Sequence, residues 1–395
     1  MFFKKGELSI LWPFYLAFFI GFSVDVTTYV GVIFFLSKGL TLFDIGLLFA
    51  VEAIALLLFE IPTGAIADIF GRKWSVVTGW FVSGIIFMLT PLMDSLFSLC
   101  LLFIIFGFSF SLISGAQEAW VIDLLRRKKK SHLTQQFFVN DTSICNAGTI
   151  VAGVFAGFII AYLGMDWLFY IEGAGMAVAS CFLLFAPNDL THLHRTSSKK
   201  SMLHTIFAAL KMISESKIVL FLMLGALFFA LLKVGEVLWQ PYLVTEGIAV
   251  EYLAILGSLG AIVGALIPHT IHLLKQTIMS EKKILAFGTL FSAVVLVLIY
   301  FIRGPLFAIG AFLVVKFAIP SIVLPVANNY LQRHLTPSLR ATMGSVKSML
   351  TRIPEVFALL AGGQIATLFG PQFTLLLLGI ALIPGVLFYY YAEEN

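Results

Sequence analysis

Charge is what this sequence has least of. Only 12% of its 395 residues are Asp, Glu, Lys or Arg, where a soluble globular chain carries about 25%. With 60% of residues hydrophobic, that scarcity excludes a water-soluble protein with an apolar core and a polar surface. Cysteine is also rare. Cys100, Cys145 and Cys181 all fall in apolar runs, so they read as small buried hydrophobes, with neither a disulfide framework nor metal-ligand spacing. A P-loop is missing, which argues against transport driven by nucleotide hydrolysis on this chain. A Gly-x-Ser-x-Gly elbow is missing too, so neither an enzyme nor a cofactor is expected. The net charge of +4 is small, and its cations are not set among aromatic residues on a soluble segment. Nucleic acid is therefore not an expected partner. Lys4 and Lys5 precede a long apolar run, but that run contains Asp25 and has no clear small-x-small site. It reads as a retained first helix rather than a signal peptide.

Apolar runs are what the chain has in abundance. Candidate spans fall at roughly 11–36, 42–67, 74–93, 96–122, 136–163, 167–187, 217–242, 252–274, 283–302, 305–331, 341–368 and 371–391, each reaching the length of about 20 residues that a bilayer demands. The expected fold class is an all-α membrane protein of about twelve transmembrane helices. They form two six-helix bundles related by pseudo-two-fold symmetry, over 1–187 and 217–395, joined by a cytoplasmic linker at 188–216. His192, His194 and His204 lie in that linker, which reads as a solvated basic segment rather than a metal site. Basic residues crowd alternate loops, with Arg126 to Lys130 the densest group, while the other set holds only Lys38 and Arg303. The positive-inside rule then puts both termini in the cytoplasm. Trp120 and Trp239, near span ends, read as interface anchors.

One short hairpin between two spans is polar: Glu60-Ile-Pro-Thr-Gly64-Ala-Ile-Ala-Asp68-Ile-Phe-Gly71-Arg72-Lys73. Gly64, Ala67, Asp68, Gly71, Arg72 and Lys73 resemble the signature loop between the second and third helices of the major facilitator superfamily. Ile69 stands where that family often has a cation. The resemblance implies an inner gate made of Gly64, Asp68, Gly71, Arg72 and Lys73, latched by Asp123 at the end of helix 4. Ser114 to Trp120 and Phe59 to Gly64 are similar to a drug-efflux-like branch of the family. Two features depart from proton-coupled and antiporter members: Phe103 to Ser114 has no Arg, and the glycines near Gly148 have no Gly-Pro.

Ionisable residues inside spans cost about 2.5–3.5 kcal/mol at a helix centre and so mark pathways, pairings or relays. In the first half they are acidic: Asp25, Glu52, Glu60, Glu118, Asp141 and Glu172. In the second half they are mostly basic: Lys233 with Glu236, Lys316, Lys347, and Arg352 with Glu355. Lys233 and Glu236 share a spacing of three, as do Arg352 and Glu355, so local ion pairs are expected. Asp25 and Lys316 have no such neighbour. The resemblance implies that helices 1, 4, 7 and 10 line a central cavity. By position these carry Asp25, Glu118, Lys233, Glu236 and Lys316. With the in-span charges Glu52 of helix 2 and Arg352 of helix 11 added, Asp25, Glu52 and Glu118 are the proton-coupling candidates, and Asp25, Lys233, Glu236, Lys316 and Arg352 the substrate candidates.

The expected function is a secondary active transporter, alternating access, exporting a small amphipathic organic compound against protons. Its expected partners are that substrate, H+ and the lipid bilayer, and it is expected to act as a monomer in the cell (inner) membrane. Two alternatives stand beside it: an ion-coupled importer of an organic anion, and a lipid flippase or non-pumping sensor of the same fold.

Overall fold

The chain is all-helical in a computed structural model, which describes residues 3, 4, 6–188, 211–275, 280–335 and 340–392, with no strand among them. His192, His194 and His204 lie outside the described residues. Among the described residues, ten helical stretches are long and apolar enough to cross a membrane. Two further helices, Asp166–Leu183 and Arg340–Phe369, complete the expected set of about twelve. An apolar solvent cannot bond the backbone, so each span satisfies its own peptide groups as a helix. The outward faces stay apolar, as at Leu306 (87% exposed) and Phe97 (74%).

In chain order the helices are α1 (Leu8–Ser23), α2 (Gly31–Ser37), α3 (Leu42–Phe70), α4 (Arg72–Leu89), α5 (Leu96–Ile113), α6 (Ala116–Arg127), α7 (Thr134–Leu163) and α8 (Asp166–Leu183). There follow α9 (Lys217–Ala230), α10 (Gly235–Thr245), α11 (Val250–Lys275), α12 (Glu281–Phe301), α13 (Pro305–Phe312), α14 (Ile319–Arg333), α15 (Arg340–Phe369), α16 (Pro371–Ala381) and α17 (Ile383–Tyr390). Several expected single spans are thus interrupted. The first breaks between α1 and the 3-10 turn Thr27–Tyr29. The fourth breaks between α5 and α6, where Gly115 takes φ 72, a left-handed conformation open to glycine. The seventh runs α9, a 3-10 segment Leu231–Val234, then α10. The tenth contains a π-helical segment, Leu313–Ala318, between α13 and α14. Pro320 follows that segment; it has no N–H for the carbonyl four residues back, that of Lys316.

The chain resolves into two compact units. The first holds Met1–Leu40, Val51–Arg195 and Ala249–Ala261; the second holds Thr41–Ala50, Thr196–Ile248 and Ile262–Asn395. Most of the linker expected at 188–216 lies outside the described residues, and each unit also takes in one short segment from the other half of the chain. Within the second unit, Gly46 and Gly363 let α3 and α15 touch backbone to backbone, and the Phe43 N–H donates to Thr367 Oγ1 at 2.9 Å. Within the first, Gly153 of α7 lies against Ala254 and Ser258 of α11, and Ser258 Oγ donates to the Thr149 carbonyl at 3.2 Å. Small residues give such close approach where lipid offers no hydrophobic drive.

The core of the first unit gathers Phe14, Phe18, Trp80, Trp120 and Phe137, with the Phe14 and Trp120 rings edge to face at 4.6 Å. The second unit has its own core, including Leu222, Met223, Leu285, Val323 and Tyr389. Two expectations are corrected here. Trp120 and Trp239 are not interface anchors: they are 0% and 4% exposed. Trp120 instead spends its N–H on the Pro187 carbonyl at 3.1 Å. Nor are the cysteines buried: Cys100 and Cys145 are half-buried and Cys181 is exposed. In an apolar solvent a thiol on the outer face meets the same surroundings as one inside.

At the end of α10, Glu246 binds the Gly304 N–H at 2.7 Å and the Arg303 guanidinium at 3.1 Å. Burial alone would raise the Glu246 carboxyl, but the Gly304 N–H, Arg303 and Gln372 together hold it below the ordinary carboxylate range. A depressed folded-state value stabilises above the unfolded value of about 4.3 and is lost as pH falls through the folded one. Glu246→Gln is therefore expected to lower the melting temperature at pH 7. The gap from wild type should close as the pH drops below about 4.3, which thermal unfolding across pH 3–8 reads directly.

Candidate functional site

The polar hairpin is shaped by Gly71, which ends α3 and opens α4 at φ 106, ψ 135. Side chains with a Cβ rarely adopt that backbone. Gly71→Ala is expected to cost roughly 1–3 kcal/mol. Gly64, by contrast, is helical, and a Cβ placed there would meet nothing within 4 Å, so Gly64→Ala should stabilise by about 0.5–1 kcal/mol. Unfolding of the two purified variants separates a conformational glycine from a permissive one.

From that turn, the Arg72 guanidinium donates to the Asp123 carboxylate and to the Ala119 carbonyl of α6. Lys73 donates to the Leu184 and Ala186 carbonyls at 2.7 and 2.8 Å, capping the end of α8 as a cation does best at a helix C-terminus. Asp68 is exposed and takes no partner among the described residues. Two members of the expected three-residue latch, Arg72 and Asp123, meet; the third stands apart.

Also in the first unit, Asp25 lies at the break after α1, half-buried, and its Oδ1 accepts from Thr28 Oγ1 at 2.5 Å. Breaking the helix frees backbone donors, and Glu172 of α8 receives them. Its carboxylate, 1% exposed, accepts the Thr27 N–H at 2.9 Å and is an electrostatic neighbour of Asp25. Glu118 sits in the first turn of α6, exposed, as an electrostatic neighbour of Asp141 on α7. Glu52 is half-buried on α3, whose backbone there abuts Gly107 of α5.

Sequence reasoning missed one buried carboxylate. Glu7 is 0% exposed and accepts from Tyr15 at 2.5 Å, Asn140 at 2.6 Å and the Lys4 N–H at 2.8 Å. It precedes the first apolar run, where a snorkelling surface acid reads identically, so no sequence signal marked it.

In the second unit a cavity of about 290 Å³ is lined by Lys233, Glu236, Trp239, Lys316, Thr351 and Glu355 among others. Lys316, on the π-helical segment, donates to Glu236 at 2.6 Å. Glu236 thus has a bonded partner across two spans, while Lys233, with which a local pair was expected, is its electrostatic neighbour. Glu355 faces the same cavity and pairs with Arg352 at 3.5 Å. Lys233, Glu236 and Lys316 are brought together here. Arg352 joins them through Glu355, while Asp25 belongs to the first unit.

A family model described as Major Facilitator Superfamily matches residues 11–346. The chain belongs to the major facilitator superfamily. It is a multi-pass membrane transporter of that type. It is 26% identical over 385 residues to YxaM of Bacillus subtilis (strain 168), described as an uncharacterized MFS-type transporter, covering 93% of this chain and 92% of that one. Solved structures share the fold at low identity. A variant of the nucleoside transporter NupG superposes with TM-score 0.82 at 15% identity, covering 97% of this chain and 99% of that one. A bacterial homolog of the human lysosomal transporter Spinster gives 0.78 at 16%, covering 99% and 98%. A D-xylose-proton symporter gives 0.73 at 14%, covering 98% of each. In this superfamily member three of the four charged lining residues fall on or beside irregular helix: Lys233 in a 3-10 segment, Glu236 just after it and Lys316 in a π segment. π-Helical insertions recur at functional sites, and broken spans carry binding sites in transporters.

Proposed function

We propose that the chain is a proton-coupled secondary transporter of a small organic compound, working by alternating access, with export as its direction. The observation that carries this is the Glu236–Lys316 pair, with Lys233 beside it, facing a cavity of about 290 Å³ on irregular helix. Charges held there are desolvated at a cost that only a partner or a ligand repays. The volume lies at the low end of the roughly 300–1,000 Å³ typical of ligand pockets, which favours a small solute over a membrane lipid. Asp25, at the break of the first span with Glu172 beside it, is the proton-coupling group of this reading. Glu52 and Glu118 are the further candidates. The hairpin of Gly64, Asp68, Gly71, Arg72, Lys73 and Asp123 serves as the cytoplasmic gate, with both termini on that side of the cell membrane.

A second reading, an importer of an organic anion, is favoured by the two lysines of the cavity. Vesicles of both orientations decide between them. Accumulation confined to inside-out vesicles, abolished when the pH gradient is dissipated, is the result expected for export. Accumulation confined to right-side-out vesicles makes the chain an importer, and movement of labelled lipid without solute counterflow discards both.

A further inference from the structure

Building on the transporter reading, we infer that the cavity of the second unit takes a small amphipathic organic carboxylate. Its anionic group exchanges with Glu236 on Lys316 and accepts the Trp239 N–H, while its apolar body lies against Phe229, Pro320 and Leu324.

The polar groups of the wall decide the sign of the ligand. Its two carboxylates are already engaged: Glu236 by Lys316 at 2.6 Å and Glu355 by Arg352 at 3.5 Å. The Thr351 hydroxyl is spent on the Lys347 and Ser348 carbonyls, each at 3.0 Å. A donor is left over. Trp239 is only 4% exposed, lines the cavity, and its indole N–H has no acceptor among the described residues. Its Nε1 lies over Gly235, another wall residue, so closely that a Cβ there would stand 2.7 Å away. A donor that lines the cavity with no protein acceptor among the described residues can bond an acceptor carried by a ligand.

Charge agrees with hydrogen bonding. Glu236 feels both Lys316 and Lys233, so two ammonium groups gather about one carboxylate of the wall, while Glu355 is drawn to Arg352. An ammonium has three donors and no acceptor, so Lys316 can pass from one carboxylate to another without losing its charge partner. A cationic ligand would meet two lysines, and a neutral one would leave Lys316 with Glu236. The volume, about 290 Å³, suits a ring with a short acidic arm.

The test uses the full chain in lipid nanodiscs and three matched probes: 3-phenylpropionate, its primary amide and 3-phenylpropylamine. Calorimetry at neutral pH should find the acid bound at least about tenfold more tightly than the amide, as for a charge-assisted bond, and the amine most weakly. Glu236→Gln should tighten the acid, since its competitor for Lys316 is gone; a merely structural role for Glu236 would weaken it. Trp239→Phe should weaken the acid by about two- to tenfold, the worth of one hydrogen bond, and leave the amine unchanged. The inference is overturned if the acid does not bind, if amide or amine binds as tightly, or if Glu236→Gln and Trp239→Phe both leave acid binding unaltered. Counterflow in proteoliposomes reads the transporter proposal separately. Selective acid binding without counterflow sinks transport and keeps this site; counterflow of amine or amide without preference for the acid does the reverse.

Discussion

Lys316→Met is expected to destabilise the purified protein by about 2–3 kcal/mol, while Lys316→Met with Glu236→Leu recovers most of that loss. The pair sits at 2.6 Å with side chains 15% and 33% exposed. Removing one member of a buried ion pair leaves the other charge uncompensated, at about 3–5 kcal/mol. Two features bring the loss to the bottom of that range or just under it: the partial exposure of Glu236, and Lys233, which stays within electrostatic reach. Replacing both members by apolar groups removes the desolvated charge altogether and is often neutral. Denaturant unfolding of wild type, both single variants and the double variant gives the coupling as a double-mutant cycle. Additive losses with no recovery in the double variant would mean that the pair is not a unit. Binding should not return with stability, because Lys316 is the group that receives the ligand.

Asp25→Asn is expected to abolish uphill accumulation while leaving counterflow near the wild-type rate. Asn keeps an oxygen to accept the Thr28 hydroxyl that Asp25 now holds at 2.5 Å, so the break after α1 keeps its local bond. What Asn lacks is a titrating oxygen. Two carboxyl groups that feel one another, as Asp25 and Glu172 do, repel when both are ionised, and a shared proton relieves that repulsion. The same variant carries no proton, so a pH gradient can no longer do work through it. Proteoliposomes loaded for counterflow, then challenged with an imposed pH gradient, separate the two activities. Undiminished gradient-driven accumulation would remove Asp25 from the coupling role. Loss of counterflow as well would make Asp25 part of the binding or folding machinery.

Much of the membrane architecture was legible in the chain. Span after span could be read from apolar length, and the Gly71-Arg72-Lys73 turn from a single glycine between two polar ends. The pairing of Arg72 with Asp123 followed from a resemblance, not from spacing. The form of the interruptions was not legible: Gly115 permits a turn and Pro320 frees a carbonyl wherever it stands in a span, but only the folded backbone turns the first into a left-handed hinge and puts a π segment before the second. Glu7 was invisible because its partners, Tyr15 and Asn140, come from one turn pair further along α1 and from α7.

The sequence by itself determined that this protein is a bundle of membrane-crossing helices with ionisable groups set inside them. That much is local, since an apolar solvent forces each long greasy segment to satisfy its own backbone. Only the tertiary structure decided which charges meet. Glu236 stands three residues from Lys233, yet its bonded partner is Lys316, 80 residues away. The spacing rule reads one helix at a time: it sets Lys233 near Glu236, and both do line one cavity. It is blind to groups that packing brings from another span, and Lys316, on the π segment of the tenth, is the one the fold sets against the carboxylate.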